Sequence, residues 1–239
     1  MLVSVVLPCY NEQDNLTALF ARLDKLAEAN SNIEIILVNN GSTDNSAAVF
    51  QKELLKRNDK FRVVYVPVNK GYGYGILEGL KSANGEVLSY THADQQTDPL
   101  DVLKALEIYK QGKNKMLLVK GFRKNRKTME AFFSYGMGLL SSMALGARLS
   151  EINAQPKLFS REFFEAYNKD APHDFSLDLY LLYCAKKHGK IIDFPVYFAK
   201  RVAGEAKGGS GSSSKVKWKL IKRTLNYIFE LRKKLKKSD

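Results

Sequence analysis

The sequence predicts an α/β fold in which a mostly parallel, doubly wound sheet is flanked by helices. Residues 2–7 form an apolar run with β-branched side chains, which is typical of a strand buried on both faces, and residues 33–38 predict a second buried strand. Between them, apolar residues recur at helical spacing over residues 15–30. Polar segments follow three of the predicted strands, where ligands bind in such sheets. This alternation of strand and helix through the first 120 residues predicts the parallel sheet.

The remaining elements are predicted in the same way. A turn at residues 41–44 carries helix-capping residues, and a helix follows it to about residue 57. Up to residue 120, periodicity predicts strands at 61–66, 86–90 and 115–120 and helices at 75–83 and 99–111. Beyond residue 150 the pattern predicts a helix at 177–187, a strand at 191–198, a loop rich in Gly and Ser at 204–214 and a basic helix at 215–237. Pro195 marks the last strand as an edge strand or a bulged one.

Composition and charge bound the class of protein. A chain of 239 residues, 45% hydrophobic and 26% charged, suits one large domain with an appendage and can bury a sizeable core. Of the formal net charge of +13, residues 215–239 contribute +8, which implies a polyanionic partner such as anionic lipid, nucleic acid or an acidic substrate. The two cysteines lie far apart and suggest no disulfide framework, so a reducing cytoplasm is expected.

Two segments bear on membrane association. The apolar stretch at residues 131–149 contains serines and glycines, which makes it too polar for a transmembrane span, and no signal peptide is expected at the N-terminus. The basic helix at 215–237 carries Trp218, Tyr227 and Phe229 among aliphatic residues, with lysines on the remaining face, which is typical of a helix lying in the membrane interface. The alternative is an ordinary basic helix packed on the domain with Trp218 in its core.

Polar residues follow three predicted strands, at residues 8–12, 39–44 and 91–96. If the last segment is extended, His92, Asp94 and Gln96 point to one side and bring an imidazole, a carboxylate and an amide oxygen together. A divalent metal that bridges two phosphates needs only one or two protein ligands, so this set suits such a metal. The alternative is a strand-end turn that caps the following helix.

Three further segments carry possible chemistry. The glycine-rich residues 69–75 open a helix and would favour phosphate, although they do not form a dinucleotide-binding GxGxxG motif. Residues 121–127 are dense in cations that match phosphate oxygens, and the alternative is a solvated charged loop. Asp174 or Asp178 could serve as a general base, although acids at a helix N-terminus are also common for electrostatic reasons.

Taken in order, these segments resemble the family 2 glycosyltransferases with a GT-A (Rossmann-like) fold, and within them the dolichyl-phosphate mannose synthase-like branch. The resemblance covers about residues 2–209 and implies a GT-A domain at 1–209 followed by a basic amphipathic tail at 210–239. The matching segments are residues 5–12, 38–44, 69–79, 85–94, 121–123, 153–157 and 201–209. Any one of them is weak evidence alone, and their order is what makes the resemblance specific.

The resemblance implies roles by position. Asp94 would be the acid of the DxD motif that holds Mg²⁺ or Mn²⁺ on the donor diphosphate, with Gln96 and His92 as further metal ligands. Asp94, Asp178, Arg123 and Arg201 are the residues expected to act in catalysis. Phosphates of the donor or acceptor would be held by Arg123, Arg126, Arg201 and Lys207. The nucleotide pocket would be lined by Pro8, Tyr10, Glu12, Asn39, Asp44, Lys70, Gly71 and Ala93.

Two residues depart from the family pattern. His92 stands where the motif has its first Asp, which leaves the identity and affinity of the metal open. Asn39 and Asn40 replace the usual acidic pair before the Gly-Ser turn, which leaves the choice between uridine and guanosine donors open.

The function implied is inverting transfer of a sugar from a nucleoside-diphosphate sugar to an acceptor at the inner face of the membrane, where the protein would be peripheral. A polyprenyl phosphate acceptor is already an anionic nucleophile and needs no strong base. The first alternative is a hydroxyl acceptor on a lipid-linked oligosaccharide or surface polysaccharide, with Asp178 or Asp174 as base. The second is an inactive nucleotide-sugar- or nucleic-acid-binding protein, although nucleic acid is not expected because no recognisable motif for it is present.

Overall fold

The computed structural model of the chain describes residues 1–112, 114–125, 128–199 and 214–235. Its strands are β1 (Val3–Cys9), β2 (Ile33–Asn40), β3 (Phe61–Val66), β4 (Val87–Tyr90), β5 (Leu117–Lys124), β6 (Lys157–Ser160) and β7 (Lys190–Tyr197). Its helices are α1 (Gln13–Ala29), α2 (Ser46–Leu54), α3 (Tyr72–Ser82), α4 (Asp101–Gln111), α5 (Thr128–Leu145), α6 (Arg161–Tyr167), α7 (Leu177–His188) and α8 (Ser214–Leu235).

Within the described residues, the strands form one sheet in the order β3-β2-β1-β4-β6-β5-β7. Strand β6 runs antiparallel to both of its neighbours, and the other pairs are parallel. The mostly parallel α/β sheet predicted from the sequence is therefore confirmed. Strand β6 and helix α6 were not predicted, because elements of four and seven residues are too short to show a clear period.

Apolar cores cover both faces of the sheet, which explains why its central strands are predominantly apolar. All eight residues of β2 are buried. On one face, α1 packs with Leu16, Leu19 and Phe20 fully buried, and on the other α3 packs with Ile76 and Leu80 fully buried. Burial of each such side chain stabilises the fold by roughly 1.5–3 kcal/mol. These cores hold the carboxyl ends of β1, β2 and β4 in fixed positions.

Helix α3 begins at Tyr72, three residues earlier than the sequence predicted, because its glycines permit close packing. Gly71 has φ +120°, a conformation that a residue with a side chain rarely adopts. A Cβ atom on Gly75 would lie 2.7 Å from Asn40 Cγ. Glycine at these positions therefore lets the first turn of α3 lie directly against the end of β2.

The C-terminal part of the described chain carries an edge strand and helix α8. Pro195 lies in β7, which is at the edge of the sheet as predicted. Helix α8 buries Ile228 and Leu231, whereas Trp218 is 69% exposed and so does not belong to the core. No helix in the described part of the chain combines the length and apolarity needed to cross a membrane. The division of the chain near residue 209 stays a prediction.

Candidate active site

The three polar segments predicted at strand ends lie side by side at the carboxyl edge of the parallel strands. The end of β1 pairs with the end of β2, Cys9 opposite Asn39, and β4 pairs with the other side of β1, Tyr90 opposite Val6. The structure therefore brings residues 8–12, 39–44 and 91–96 together, where the sequence placed the ligand-binding edge.

Side-chain hydrogen bonds tie the loops after β1 and β2 to each other. Asn11 has φ +53°, its backbone N–H donates to Ser42 Oγ at 3.0 Å, and its Oδ1 accepts from the Thr43 N–H at 2.8 Å. Asp44 accepts from the backbone N–H groups of Ser46, at 3.0 Å, and Gln13, at 3.2 Å. Burial by itself raises the pKa of Asp44, but these hydrogen bonds outweigh it and lower the pKa. Asp44 is therefore an ionised acceptor whose hydrogen bonds connect the two loops.

Other residues predicted to line the nucleotide pocket also hold this edge together. The backbone N–H of Glu12 donates to Ser46 Oγ at 3.1 Å, and Asn39 Oδ1 accepts from the Ser42 N–H at 3.1 Å. Asn40 Nδ2 donates to the carbonyl of Gly71 at 3.0 Å, which connects β2 to the glycine-rich segment.

The remaining predicted pocket residues lie on the same edge. Pro8 and Tyr10 are half-buried, and Ala93 is buried. The Lys70 ammonium lies 5.0 Å from the centre of the Tyr74 ring. The nucleotide-binding roles of this whole set stay predictions.

The loop after β4 holds Asp94 in a tight turn. Asp94 is 8% exposed, and its Oδ1 accepts from the Gln96 N–H at 3.1 Å. Gln95 has φ +60°, and its carbonyl accepts from Nη1 of Arg22 on α1 at 3.0 Å. Gln96 Nε2 donates to the carbonyl of Ala199 at 3.3 Å. The loop is thus held by contacts with α1 and with the segment that follows β7.

His92 lies beside this turn, next to aromatic rings and charged groups. Its ring is 6.5 Å from that of Tyr72, which in turn stacks on Phe175 at 4.7 Å. Burial lowers the pKa of His92, the carboxylates of Asp94 and Asp178 oppose that shift, and nearby cations add to it. At neutral pH the imidazole is therefore neutral and can offer a lone pair to a metal.

The donor set near Asp94 fits a divalent metal that takes most of its ligands from a diphosphate and water. Within the described residues, no group of three His, Cys, Asp or Glu side chains could hold a metal alone. A carboxylate from Asp94 with a neutral imidazole from His92 supplies the one or two protein ligands that a metal bridging phosphates requires. The amide group of Gln96 lies on the same turn and is the third candidate ligand.

Asp178, predicted as a general base, lies behind this site in the core. It is 1% exposed and accepts hydrogen bonds from the Tyr90 hydroxyl, at 2.7 Å, and from the ammonium group of Lys157. The apolar helix α7 carries Asp178 into the core. A general base must reach the proton that it removes, so the burial of Asp178 does not support that role.

Lys157 is fully buried and also donates to the carbonyl of Ala154 at 3.0 Å. Burial lowers its pKa to about 8, although the attraction of Asp178 opposes that shift. By contrast, Asp174 is partly exposed, and its Oδ1 accepts from the Ser176 N–H at 2.9 Å.

Arg123 lies at the end of β5 and contacts two residues that the sequence did not single out. Its Nε donates to Glu151 Oε2 at 2.7 Å, and its guanidinium carbon is 5.6 Å from the centre of the Phe198 ring. The other predicted phosphate-binding residues, Arg126, Arg201 and Lys207, lie outside the described residues.

Sequence reasoning gave no role to Lys157, Glu151 or Arg22, all of which support the site. Lys157 had a usable signal, because a lysine next to the apolar pair Leu158 and Phe159 of a strand must be buried with a partner or lie at an edge. Glu151 and Arg22 carried no signal, because their partners lie 28 and 73 residues away in the chain.

Comparison with known proteins agrees with this geometry. Residues 4–171 match the family model described as glycosyl transferase family 2. The chain belongs to that family.

A relative of this family 2 chain is the dolichol-phosphate mannosyltransferase of Pyrococcus furiosus, 29% identical over 240 residues that cover 98% of this chain and 64% of that protein. Another is the undecaprenyl-phosphate 4-deoxy-4-formamido-L-arabinose transferase of Aeromonas hydrophila, 27% identical over 87% of this chain and 63% of that protein. The chain thus spans slightly less than two thirds of the length of these relatives.

Solved structures confirm the GT-A glycosyltransferase fold. The glucosyl-3-phosphoglycerate synthase of Mycobacterium tuberculosis, in complex with Mn²⁺, UDP and phosphoglyceric acid, is 19% identical with a TM-score of 0.72 over 97% of this chain and 78% of that chain. A mannosyltransferase of Pyrobaculum calidifontis, in complex with GDP-Man and Mn²⁺, is 19% identical with a TM-score of 0.62 over 84% of this chain and 57% of that chain.

Proposed function

We propose that this family 2 glycosyltransferase transfers a sugar, with inversion, from a nucleoside-diphosphate sugar to a polyprenyl phosphate at a membrane surface. The relatives named for dolichol phosphate and undecaprenyl phosphate support this acceptor class. The observation that carries the proposal is the burial of Asp178 against Lys157 and Tyr90. With that carboxylate withheld from the acceptor, the site suits a nucleophile that is already ionised, and a phosphate is such a nucleophile.

In this mechanism the chain's own residues bind and orient the two substrates. The loops after β1 and β2, tied together through Asn11 and Asp44, would hold the nucleotide. The cation of Arg123 would lie beside phosphate oxygens. An acceptor phosphate oxygen would attack the anomeric carbon, and the nucleoside diphosphate would leave from the opposite face. Preorganised charges at the leaving group are usually the largest contribution to such catalysis.

A divalent cation, Mg²⁺ or Mn²⁺, would be held by Asp94, with His92 and Gln96 as its other candidate ligands. When bound, it would neutralise the charge that grows on the leaving diphosphate. The neutral imidazole of His92 and the fixed turn at Asp94 support this assignment. The Mn²⁺ in the two structurally similar glycosyltransferases is consistent with it.

Helices α5 and α8 support docking on an anionic membrane at its inner face, without a membrane span. On α5, exposed apolar side chains repeat at helical spacing, at Tyr135, Leu139, Leu140 and Met143. Helix α8 exposes Trp218 and Phe229. The lysines and arginines of the C-terminal segment would add about 1 kcal/mol each near anionic headgroups. Sedimentation with anionic vesicles, compared with neutral ones, tests this part of the proposal.

The transfer itself is tested with the purified full chain, a panel of UDP- and GDP-sugars, and undecaprenyl or dolichyl phosphate in detergent. Labelled sugar that moves into the lipid phase measures activity, with Mn²⁺, with Mg²⁺ and with chelator. Asp94→Asn should lower turnover at least about 100-fold, because even residues that only orient metal ligands cost 10–100-fold when changed. Asp59→Asn removes an exposed carboxylate at the opposite edge of the sheet and should leave turnover unchanged.

Three outcomes would contradict the proposal in different ways. Transfer only to hydroxyl acceptors would replace the phosphate acceptor and make Asp174 the candidate base. Full activity in Asp94→Asn would remove the metal assignment. Absence of transfer to every acceptor, with nucleotide binding intact, would indicate a nucleotide-sugar-binding protein built on the same fold.

A further inference from the structure

Glu151 and Arg123 form a largely buried ion pair at the edge of the candidate site. Arg123 Nε donates to Glu151 Oε2 at 2.7 Å, and the two side chains are 10% and 14% exposed. Arg123 comes from the end of β5 and Glu151 from the loop that follows α5. The pair thus joins two elements that approach the site from different sides.

Arg123 lies on the same edge of the sheet as Asp94. Strand β6 is antiparallel to both β4 and β5, so β5 runs parallel to β4 and both strands reach this edge at their carboxyl ends. Lys120 of β5 and Lys157 of β6 are both buried and lie opposite each other in the sheet. Arg123 therefore lies with buried cations at the edge of the sheet that carries Asp94, and Glu151 contacts it.

The backbone of Glu151 is unfavourable for this residue type. Its φ is +46°, in the left-handed region that glycine and asparagine adopt with less strain than glutamate. Its carbonyl accepts from the Ala154 N–H at 3.0 Å, in the turn that leads to Gln155 and Lys157. Buried ion pairs add little net stability, because desolvation offsets their attraction. Neither the local conformation nor stability accounts for a glutamate here, whereas its contact with Arg123 does.

We propose that Glu151 is a positioning residue that holds Arg123 in place to receive a phosphate group of the substrates. When an arginine is bound through Nε, its two terminal nitrogens can donate side by side. The spacing of these two donors matches that of two phosphate oxygens. Strained backbone conformations persist where the surrounding structure holds them, and they cluster at functional sites. The inference rests on the proposed function, in which both the donor and the acceptor carry phosphate.

Glu151→Gly removes the carboxylate without straining the backbone, because glycine adopts this φ without steric cost. The variant therefore tests the role of the carboxylate alone. The expected result is a melting temperature equal to or above that of the wild type, with KM for a phosphate-bearing substrate raised about tenfold, as for other residues that orient a binding group. Glu151→Gln keeps an acceptor oxygen and should restore part of the loss. A higher KM for the donor alone identifies the diphosphate as the ligand, and a higher KM for the acceptor alone identifies the lipid phosphate.

A double-mutant cycle shows whether Glu151 acts through Arg123. Added to Arg123→Ala, Glu151→Gly should cause no further loss, because the residue that it positions is already absent. Additive losses would overturn the proposal. So would donor and acceptor constants within about twofold of the wild type in Glu151→Gly, a change that falls within the scatter of additive, uncoupled sites.

Glu162→Gln provides the matched control, because Glu162 forms an exposed ion pair with Lys115 at 3.1 Å and should leave every constant unchanged. If the wild type transfers no sugar to any acceptor, the proposed function is wrong, but this result does not test the role of Glu151. In that case the equilibrium Kd of UDP or GDP, measured for the wild type and Glu151→Gly, still decides the inference. A tenfold weaker Kd for the nucleotide or, in a parallel titration, for undecaprenyl phosphate supports it, and unchanged Kd values for both overturn it.

Discussion

The two ends of the sheet each hold a carboxylate beside a cation, and they differ in what satisfies that carboxylate. At the amino end, Glu34 accepts from Ser4 Oγ at 2.6 Å, from two N–H groups of Asn84 at 2.8 and 2.9 Å, and from Arg62 Nε at 2.8 Å. At the carboxyl end, Asp178 accepts from the Tyr90 hydroxyl and from the ammonium group of Lys157.

Glu34 is therefore a structural acid with several neutral donors, whereas the negative charge of Asp178 is balanced by a single cation among the contacts described. Three neutral donors would still satisfy Glu34 without Arg62, which is partly exposed. Without Lys157, Asp178 would keep one hydroxyl donor among the interactions described, in a site with almost no access to water. A lone buried charge is costly, so the carboxyl end should be far more sensitive to loss of its cation. It is also the end that carries the candidate site.

The largest expected effect is therefore that of Lys157→Met. Removal of one partner from a buried ion pair typically costs 3–5 kcal/mol, so we expect a loss of about that size in the free energy of unfolding. Because Asp178 bonds to Tyr90, two residues before His92 in the chain, turnover should fall as well, even below the melting temperature. Urea unfolding and the transfer assay measure the two effects.

Lys157→Met combined with Asp178→Asn should recover part of the stability, because the charge left unpaired is then absent. Lys186→Met, an exposed lysine on α7, is the matched control and should change the free energy of unfolding by less than about 0.5 kcal/mol. If Lys157→Met were as stable as this control, the carboxyl end would not depend on its cation and the comparison would fail.

The fold was predictable because its signals are local. The central strands are buried on both faces and so are predominantly apolar, and the helices between them keep their period. Among the elements that the sequence missed, β6 is four residues long and antiparallel, and its pairing with β4 and β5, at Tyr90 and Lys120 among others, defines it. Short strands of this kind are specified by their neighbours in the sheet and not by their own pattern.

The candidate site was predictable only where residues follow strand ends. His92, Asp94 and Asn39 lie where the predicted sheet placed them. Asp178 lies in the core and not at the surface of the site. The sequence shows its position on a helix, but it does not show that Tyr90 and Lys157 pair with it in the core. The pairing of Glu151 with Arg123 likewise depends on tertiary structure, which no local pattern carries.

A smaller effect is expected at the amino end, from Arg62→Met. The hydrogen bond between Arg62 and Glu34 involves two charged groups, but Arg62 is partly exposed and the acid keeps its neutral donors. We expect a loss of about 1–2 kcal/mol in the free energy of unfolding. Turnover below the melting temperature should be unchanged, because this pair lies at the opposite end of the strands from Asp94. A loss of turnover as large as that in Lys157→Met would contradict the division into two ends.

The smallest effect, a dependence of stability on acid pH, should come from Glu34. Burial by itself raises the pKa of Glu34, but hydrogen bonds from Asn84, Ser4 and Arg62 outweigh it and lower the pKa from the ordinary value of 4.5. The folded state then binds this proton less readily than the unfolded state. The contribution of Glu34 to stability is therefore fully present above pH 4.5 and is lost as the pH falls through the lowered pKa.

Glu34→Gln removes this titration, so the stability difference between wild type and variant should shrink steadily below about pH 4.5. Urea midpoints measured at intervals between about pH 3 and pH 7 would show it. A difference that stays constant over this range would mean that neither the neutral donors nor Arg62 favours the ionised form, and the description of Glu34 as a well-satisfied charged acid would be wrong.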